Sequence, residues 1–306
     1  MEKLIEVRET ILEWYLKWER YLKPFGKFLA ALVIMLSVNG SMGYNGQLKS
    51  WFVVIGISVI AAFLPTMFLT VAAGVVSIGH LFSASLVLAG TAGAVFVVLY
   101  LMLLRFIPKH AWVVAAIPVL SLYKLQFIVP VVLGLTATPL SILAAASGVI
   151  VYYMLKMMNE FIKADNFSAN DYMGVYQMAV DKILENKEMI YTIIIFSLVI
   201  LVVFLIRIQK IDYGFELSIG AGTLVELLGF LITGLASGEI LTVIVGSIAS
   251  GIIVLVVWFL FLALDYAASE DLQFQDDEYY YYVRAVPKVK LEKKNKGRKR
   301  ISRKRK

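Results

Sequence analysis

The stretch from Trp51 to Leu104, WFVVIGISVIAAFLPTMFLTVAAGVVSIGHLFSASLVLAGTAGAVFVVLYLMLL, decides the fold, because it holds no Asp, Glu, Lys or Arg and His80 is its only imidazole. At about 20 apolar residues per crossing, it accommodates two membrane spans, or one span preceded by a hairpin that dips into the bilayer. Pro65 lies inside the run and keeps both arrangements open, since a helix broken at membrane depth is tolerated where protein or a wet cavity satisfies the freed backbone. Outward from this stretch the pattern persists: no acidic residue occurs between Glu19 and Glu160. With 60% hydrophobic and 17% charged residues and a mean hydropathy of +0.81, soluble and disordered classes are excluded. The absence of cysteine excludes disulfides, thiol catalysis and cysteine metal sites. The chain reads as an all-α polytopic integral membrane protein with six to eight transmembrane helices.

Five segments follow from composition. In residues 1–25, Leu4, Val7, Ile11, Trp14, Trp18 and Tyr21 recur at helical spacing opposite Glu6, Glu9, Glu13, Lys17 and Arg20. This pattern predicts an amphipathic interfacial helix rather than a secretory signal. Residues 26–158 form a proline-broken membrane half, with a first span at about 28–43, the 51–104 run, and 111–158 punctuated by Pro118, Pro130 and Pro139. Residues 159–187 are a polar loop in which Ser168 and Asp171 resemble a capping box ahead of the stripe Tyr172, Tyr176, Ala179 and Ile183. Residues 188–265 read as three uninterrupted spans, at 189–206, 214–235 and 239–265. Residues 266–306 are a cytoplasmic tail: an acidic collar, then Tyr279–Tyr282, then a basic run from Arg284 to Lys306 broken only by Glu292 among acidic residues.

Lys3, Arg8, Lys17, Arg20, Lys23 and Lys27 at one end, and the basic tail at the other, place both termini in the cytoplasm of a multi-pass cell membrane protein, so the number of crossings is even. Eight plain spans satisfy this. Six spans with two re-entrant hairpins, about 51–78 from outside and 111–136 from inside, satisfy it and also keep Arg105–His110 and Arg207–Lys210 cytoplasmic; this is the preferred arrangement.

Lys124 and Glu226 each fall near the centre of a hydrophobic block, where a charge costs roughly 2.5–3.5 kcal/mol on insertion scales and commonly marks a transport path. Glu226 is the expected proton or cation site, with Lys124 as its partner or as an anion-binding group; a fixed salt bridge between the halves is the structural alternative. His80, after Gly79 at an expected turn, is a further titratable candidate. Two histidines, no His-Glu-x-x-His, no phosphate-binding loop and no Gly-x-Ser-x-Gly argue against an enzyme, a metal centre or a cofactor.

The order of elements over residues 60–158 resembles the DedA/VTT membrane family. The matching features are Pro65 with Gly74, Gly90 and Gly93 with Tyr100 and Arg105, Pro118 with Lys124, Pro130 with Gly134, and Pro139. Leu104 stands before Arg105 where that family has glycine, and Lys124 lies farther from Pro118 than the family's arginine. The resemblance implies lipid scrambling or proton-coupled transport between two hairpins, shaped by Pro65, Pro118, Pro130 and Gly134 and involving Arg105.

Together these features predict membrane transport or lipid translocation without nucleotide hydrolysis. The alternative is a non-transporting scaffold or assembly subunit, recruiting partners through its amphipathic N-terminus and its tail. The expected partners are the bilayer, anionic lipid at the basic tail and a protein at Tyr279–Tyr282; nucleic acid is not expected.

Overall fold

Prolines and serines set the helix breaks in the first half of the computed structural model, which describes residues 2–163, 172–209, 213–234, 240–258, 270–275 and 280–285. Eleven α-helices occur among these residues. They are α1 (Glu2–Ser41), α2 (Trp51–Phe63), α3 (Met67–Ala84), α4 (Leu86–Phe106), α5 (Val113–Leu122), α6 (Ile128–Thr136), α7 (Ser141–Lys163), α8 (Tyr172–Leu184), α9 (Lys187–Arg207), α10 (Gly214–Ile232) and α11 (Ile240–Trp258). Pro65 lies in the α2–α3 break, Pro108 opens a 3₁₀ turn (Pro108–His110) before α5, and Pro139 lies in the α6–α7 break. Pro118 is inside α5, and Pro130 is in the first turn of α6, where its missing N–H leaves no intrahelical bond unmade.

Among the described residues six helical stretches are long and apolar enough to cross a membrane: Lys17–Ser41, α3, Leu86–Leu103, α7, Val180–Arg207 and α10. Shorter apolar helices lie at Trp51–Phe63, Pro108–Leu122 and Val243–Val257. The chain is therefore an all-α, multi-pass membrane protein. The six stretches are not the six expected from sequence, since α3 takes the place of the last span and the break between α3 and α4 falls at Ser85. The N-terminal amphipathic segment and the first span, expected as two elements, form the single helix α1 with Pro24 inside it. Pro24 and Gly26 mark the join in the sequence, yet the helix continues through both and ends only at the Asn-Gly-Ser and Gly-Tyr-Asn cluster of residues 39–45.

Side-chain contacts fix the helix directions. Ala31 packs with Leu69, and Met35 and Val38 pack with Ala72 and Val76, so α1 and α3 run parallel. Gly74 lies under Phe96 and Gly93 under Ile78, so α4 runs back along α3. Gly148 of α7 sits against Val113 and Ile117, placing the start of α5 beside the first half of α7. Tyr153 hydrogen-bonds Thr192 at 3.0 Å, which sets α7 antiparallel to α9. Gly134 meets Ile200 and Val203, while Phe127 and Phe196 both pack edge-on against Phe230, so α6 runs parallel to α9. Gly222 against Val203 and Gly229 against Ile195 make α10 antiparallel to α9.

The polar loop does carry a helix, α8. It packs on α4 and α7: Ile183 touches the cluster around Leu88, Met154 and Met158, and the Lys182 ammonium lies 4.5 Å from the Phe161 ring. Ser168 and Asp171 lie outside the described residues.

The tail holds the exception to helical structure. Strands β1 (Glu270–Gln275) and β2 (Tyr280–Ala285) pair antiparallel, with Glu270 opposite Ala285 and Gln275 opposite Tyr280. They belong to one compact unit, made of residues 1–8 and 256–306, and residues 9–255 make up the other. Three of the four consecutive tyrosines are thus in an extended segment, as expected, paired within the chain. The basic run after Ala285 lies outside the described residues.

Candidate functional site

Glu226 is fully buried, at 0% exposure, and neither of its carboxyl oxygens has a hydrogen-bond partner within the protein. Its depth follows from its neighbours on α10. Gly222, one turn before it, is level with Val203 and Val199, and Gly229, one turn after it, is level with Ile195. Glu226 therefore lies opposite residues near 198, halfway along α9. Close approach is what buries it: β-carbons at Gly222 and Gly229 would fall 2.4 Å from Val203 and 3.0 Å from Ile195, so only glycine lets the two backbones come this near. At about 100° per residue, Glu226 projects between the α9-facing glycines and the α11-facing Thr223, toward α6, whose Val131 and Phe127 lie beside Gly222 and Phe230.

α11 supplies further unpaired polar groups. A β-carbon at Gly251 would meet Thr223 at 2.5 Å, and one at Gly246 would meet the Phe127 ring at 2.7 Å. With α11 returning along α10, Ser247 and Ser250 fall at the depth of Glu226. Both are buried, and neither hydroxyl has a hydrogen-bond partner within the protein. A groove of about 580 Å³ between α10 and α11 is lined by Glu216, Thr223 and Ser247 among apolar residues, giving a route from the first turn of α10 toward this level.

Lys124, the expected partner of Glu226, occupies the turn between α5 and α6 with a left-handed backbone (φ 59) and an exposed side chain. Its carbonyl oxygen lies against Gly246. No hydrogen bond joins Lys124 to Glu226. Arg105 is exposed in the last turn of α4, away from Glu226. Gly134 is held by packing, its backbone under Val203. Gly234 takes a left-handed turn (φ 69) just after α10.

His80 is not at a turn. It lies within α3, fully buried, and every ring nitrogen is used. The Asn45 backbone N–H donates to Nδ1 at 3.2 Å, which requires Nδ1 to be unprotonated. Nε2–H then donates to Asn39 Oδ1 at 2.7 Å, and the Asn39 amide donates to the Leu48 carbonyl at 3.3 Å. This chain pins the loop between α1 and α2 onto the end of α3. Tyr44 in that loop donates to Asn159 at 2.8 Å, and burial pushes its phenol above the usual range.

Two polar anchors were missed by sequence reasoning. Asn39 looked like an interfacial residue, and nothing local marks it as a partner of a histidine far along the chain. Arg207 donates to the carbonyls of Leu135 and Ala137, capping the open end of α6; only its place at the end of a span could have suggested this. Among the described residues no group of three or more His, Asp or Glu side chains could hold a metal ion.

No family model, curated protein or solved structure matches this chain.

Proposed function

We propose that this membrane protein is a gradient-driven or passive transporter in which Glu226 binds a proton or a small cation near the bilayer midplane. The observation that carries this reading is the full burial of an unpaired carboxyl at the same depth as two buried, unpaired serine hydroxyls. A bare carboxylate at that depth is costly, so the group holds a proton or a cation, and Ser247 and Ser250 offer oxygen ligands from the facing helix. A salt bridge tying the halves together would instead show Glu226 hydrogen-bonded to a base. The α10–α11 groove, with Glu216 at its outer end, is the access route.

Helix directions support a re-entrant hairpin at α5–α6. α5 and α6 are about 15 and 14 Å long, half the hydrocarbon thickness; α5 starts, and α6 finishes, on the side where α9 ends. Phe127, just past their turn, is level with Phe196 at the middle of α9. α2 and α3 start and finish on the opposite side, but their Pro65 break is tied to α1 by Lys27 donating to Leu64 at 3.0 Å and α3 is itself long enough to cross, so this pair reaches the depth of Lys27. Arg105, Lys109 and Arg207 then share one side with Lys27, the cytoplasmic side by the positive-inside tendency. The resemblance to the DedA/VTT family agrees with this order and extends the substrate range to lipids.

The test is ion or proton flux into vesicles holding purified protein. Glu226→Gln abolishes flux while insertion and unfolding behaviour stay unchanged. Unimpaired flux in that variant removes the site, and loss of cellular activity on deleting residues 270–306 would favour the scaffold.

A further inference from the structure

Serines inside the helices of this protein follow one pattern. Ser58, Ser77, Ser121, Ser147 and Ser197 each donate their hydroxyl to the carbonyl one turn earlier at 2.6–2.8 Å. Where water does not reach, that bond is the nearest way to satisfy a hydroxyl. Ser247 and Ser250 of α11 are fully buried, and neither makes it. Among the described residues six buried side-chain oxygens lack a partner, and four of them are these two hydroxyls and the two oxygens of Glu226.

Level and direction bring the four together. Thr223 of α10 is level with Gly251 of α11, so on antiparallel helices Glu226, three residues on, is level with residue 248, between the two serines. On α11 Gly246 faces the Phe127 ring of α6 and Gly251 faces Thr223; at about 100° per residue, Ser247 and Ser250 occupy the arc between them. On α10 Glu226 occupies the arc between Gly222, which faces α6 and α9, and Thr223, which faces α11. All three side chains therefore turn into the wedge enclosed by α6, α10 and α11.

We infer that Glu226, Ser247 and Ser250 bind a dehydrated monovalent cation of sodium size, for which a proton competes at the carboxylate. This rests on the reading of Glu226 as the transport site and narrows its substrate. Charge is the first reason. α6 and α11 carry no charged residue, α9 has Lys187, Glu188 and Arg207 only at its ends, and α10 adds only Glu216, about 15 Å along the helix. Lys124, in the turn before α6, has an exposed side chain. The counter-charge for Glu226 therefore comes from solution, and a single positive charge leaves the site neutral where a divalent ion would leave a net charge in hydrocarbon. Ligand type is the second reason. A proton uses one carboxyl oxygen and gives no role to two hydroxyls turned away from their own helix, whereas a hard cation takes oxygen ligands from all three residues. Packing sets the size, because Gly222 and Gly229 draw α10 against α9 and Gly251 draws α11 onto Thr223. Ser247 also lines the 580 Å³ groove that Glu216 and Thr223 share, so one ligand stands at the end of the access route.

The experiment follows labelling of the purified full chain by dicyclohexylcarbodiimide, an apolar reagent that adds to a protonated buried carboxyl and leaves an N-acylurea located by peptide mass spectrometry. In choline chloride Glu226 is labelled. Replacing choline with sodium at constant ionic strength slows labelling by about tenfold or more, lithium acts alike, and potassium does not. The half-protecting sodium concentration rises about tenfold for each pH unit lost while the carboxyl is protonated in the absence of sodium. Ser247→Ala with Ser250→Ala raises it by about tenfold or more. Ser37→Ala, which removes a buried and equally unpartnered hydroxyl from α1, leaves it unchanged. Potassium protecting as well as sodium, protection indifferent to loss of both serines, or Glu226 unlabelled in choline overturns the inference; the sodium–potassium comparison needs only the native chain. If Glu226→Gln abolishes flux yet sodium does not protect, the site carries protons, and the transport reading survives without this inference. If sodium protects while Glu226→Gln leaves flux intact, the cation site stands and the transport reading falls.

Discussion

Val203 of α9 is pinched between two glycines, and the two contacts differ by one carbon in a way that mutation can expose. A β-carbon at Gly222 of α10 would sit 2.4 Å from Val203 Cγ2, whereas one at Gly134 of α6 would sit 2.6 Å from Val203 Cβ and 3.1 Å from the Ile200 carbonyl. Both fall about 1 Å short of ordinary contact between carbons. Gly222→Ala and Gly134→Ala therefore overpack the junction of α6, α9 and α10, each at a cost of about 1–3 kcal/mol. Val203→Ala loses buried contacts worth about 1–2 kcal/mol, chiefly van der Waals packing because lipid is the alternative environment. It removes Cγ2 and keeps Cβ. Combined with Gly222→Ala it vacates the space the new methyl needs, giving a favourable coupling of about 1–2 kcal/mol, so the double variant loses less than the sum of the two single losses. Combined with Gly134→Ala the collision persists, and the two losses add to within about 0.5 kcal/mol. The assay is reversible unfolding of purified protein from mild detergent into dodecyl sulfate, followed by Trp fluorescence. If both pairs are additive, or both are rescued, Val203 is not the hinge of this packing and the argument that brings α10 close enough to bury Glu226 fails.

Three further outcomes follow from the same geometry. On this cysteine-free chain, a single cysteine at Lys109 labels with an impermeant thiol reagent from the side of the N-terminus and one at Glu160 from the opposite side; a shared side refutes the hairpin topology. His80→Ala strands the Asn45 N–H and the Asn39 side chain, costing about 2–3 kcal/mol by unfolding midpoint, while flux per folded molecule persists; an unchanged midpoint would show that the loop is held otherwise. Tyr44, whose phenol burial raises above the ordinary value of 10.0, contributes stability fully present below that value and lost as pH rises through the higher folded value. Alkaline loosening of the 42–50 loop, read by hydrogen exchange alongside phenolate absorbance, is therefore expected in the native chain and absent in Tyr44→Phe.

The membrane class was legible because hydrocarbon imposes its composition on every crossing, as in the uncharged stretch before Arg105. Helix breaks at Pro65, Pro108 and Pro139 were legible for a local reason, since proline restricts its own position and the one before it. Pro118 and Pro130 show the limit of that signal, for both sit within short helices, and the turn of their hairpin is made by residues 123–127 with Lys124 in a left-handed conformation that no glycine announces. Continuity of α1 through Pro24 was equally hidden, because Pro24 and Gly26 read locally as a break. Long-range pairs were the least visible. Asn39 with His80 and Arg207 with the end of α6 join residues far apart in the chain, and one sequence carries no trace of which distant groups will meet.

His80 and Glu226 illustrate how structure divides candidates that sequence ranks together. Both are titratable, both lie in apolar surroundings, and both are fully buried. Around His80 each polar atom has a counterpart, and the direction of every hydrogen bond is forced by the Asn45 N–H. The ring can be neutral in one tautomer only, and adding a proton would break the contact that seats the loop. A group so constrained is suited to holding, not to exchanging. Around Glu226 the opposite arrangement prevails: glycines in place of donors, two serines at its depth whose hydroxyls are as unpartnered as the carboxyl, and a groove reaching that level from Glu216. Burial without partners is destabilising, and natural cores retain few such groups. Four unpartnered polar atoms gathered at one depth are more than a fold needs for packing; a proton would neutralise the carboxyl, whereas a bound cation could engage carboxyl and hydroxyl oxygens together.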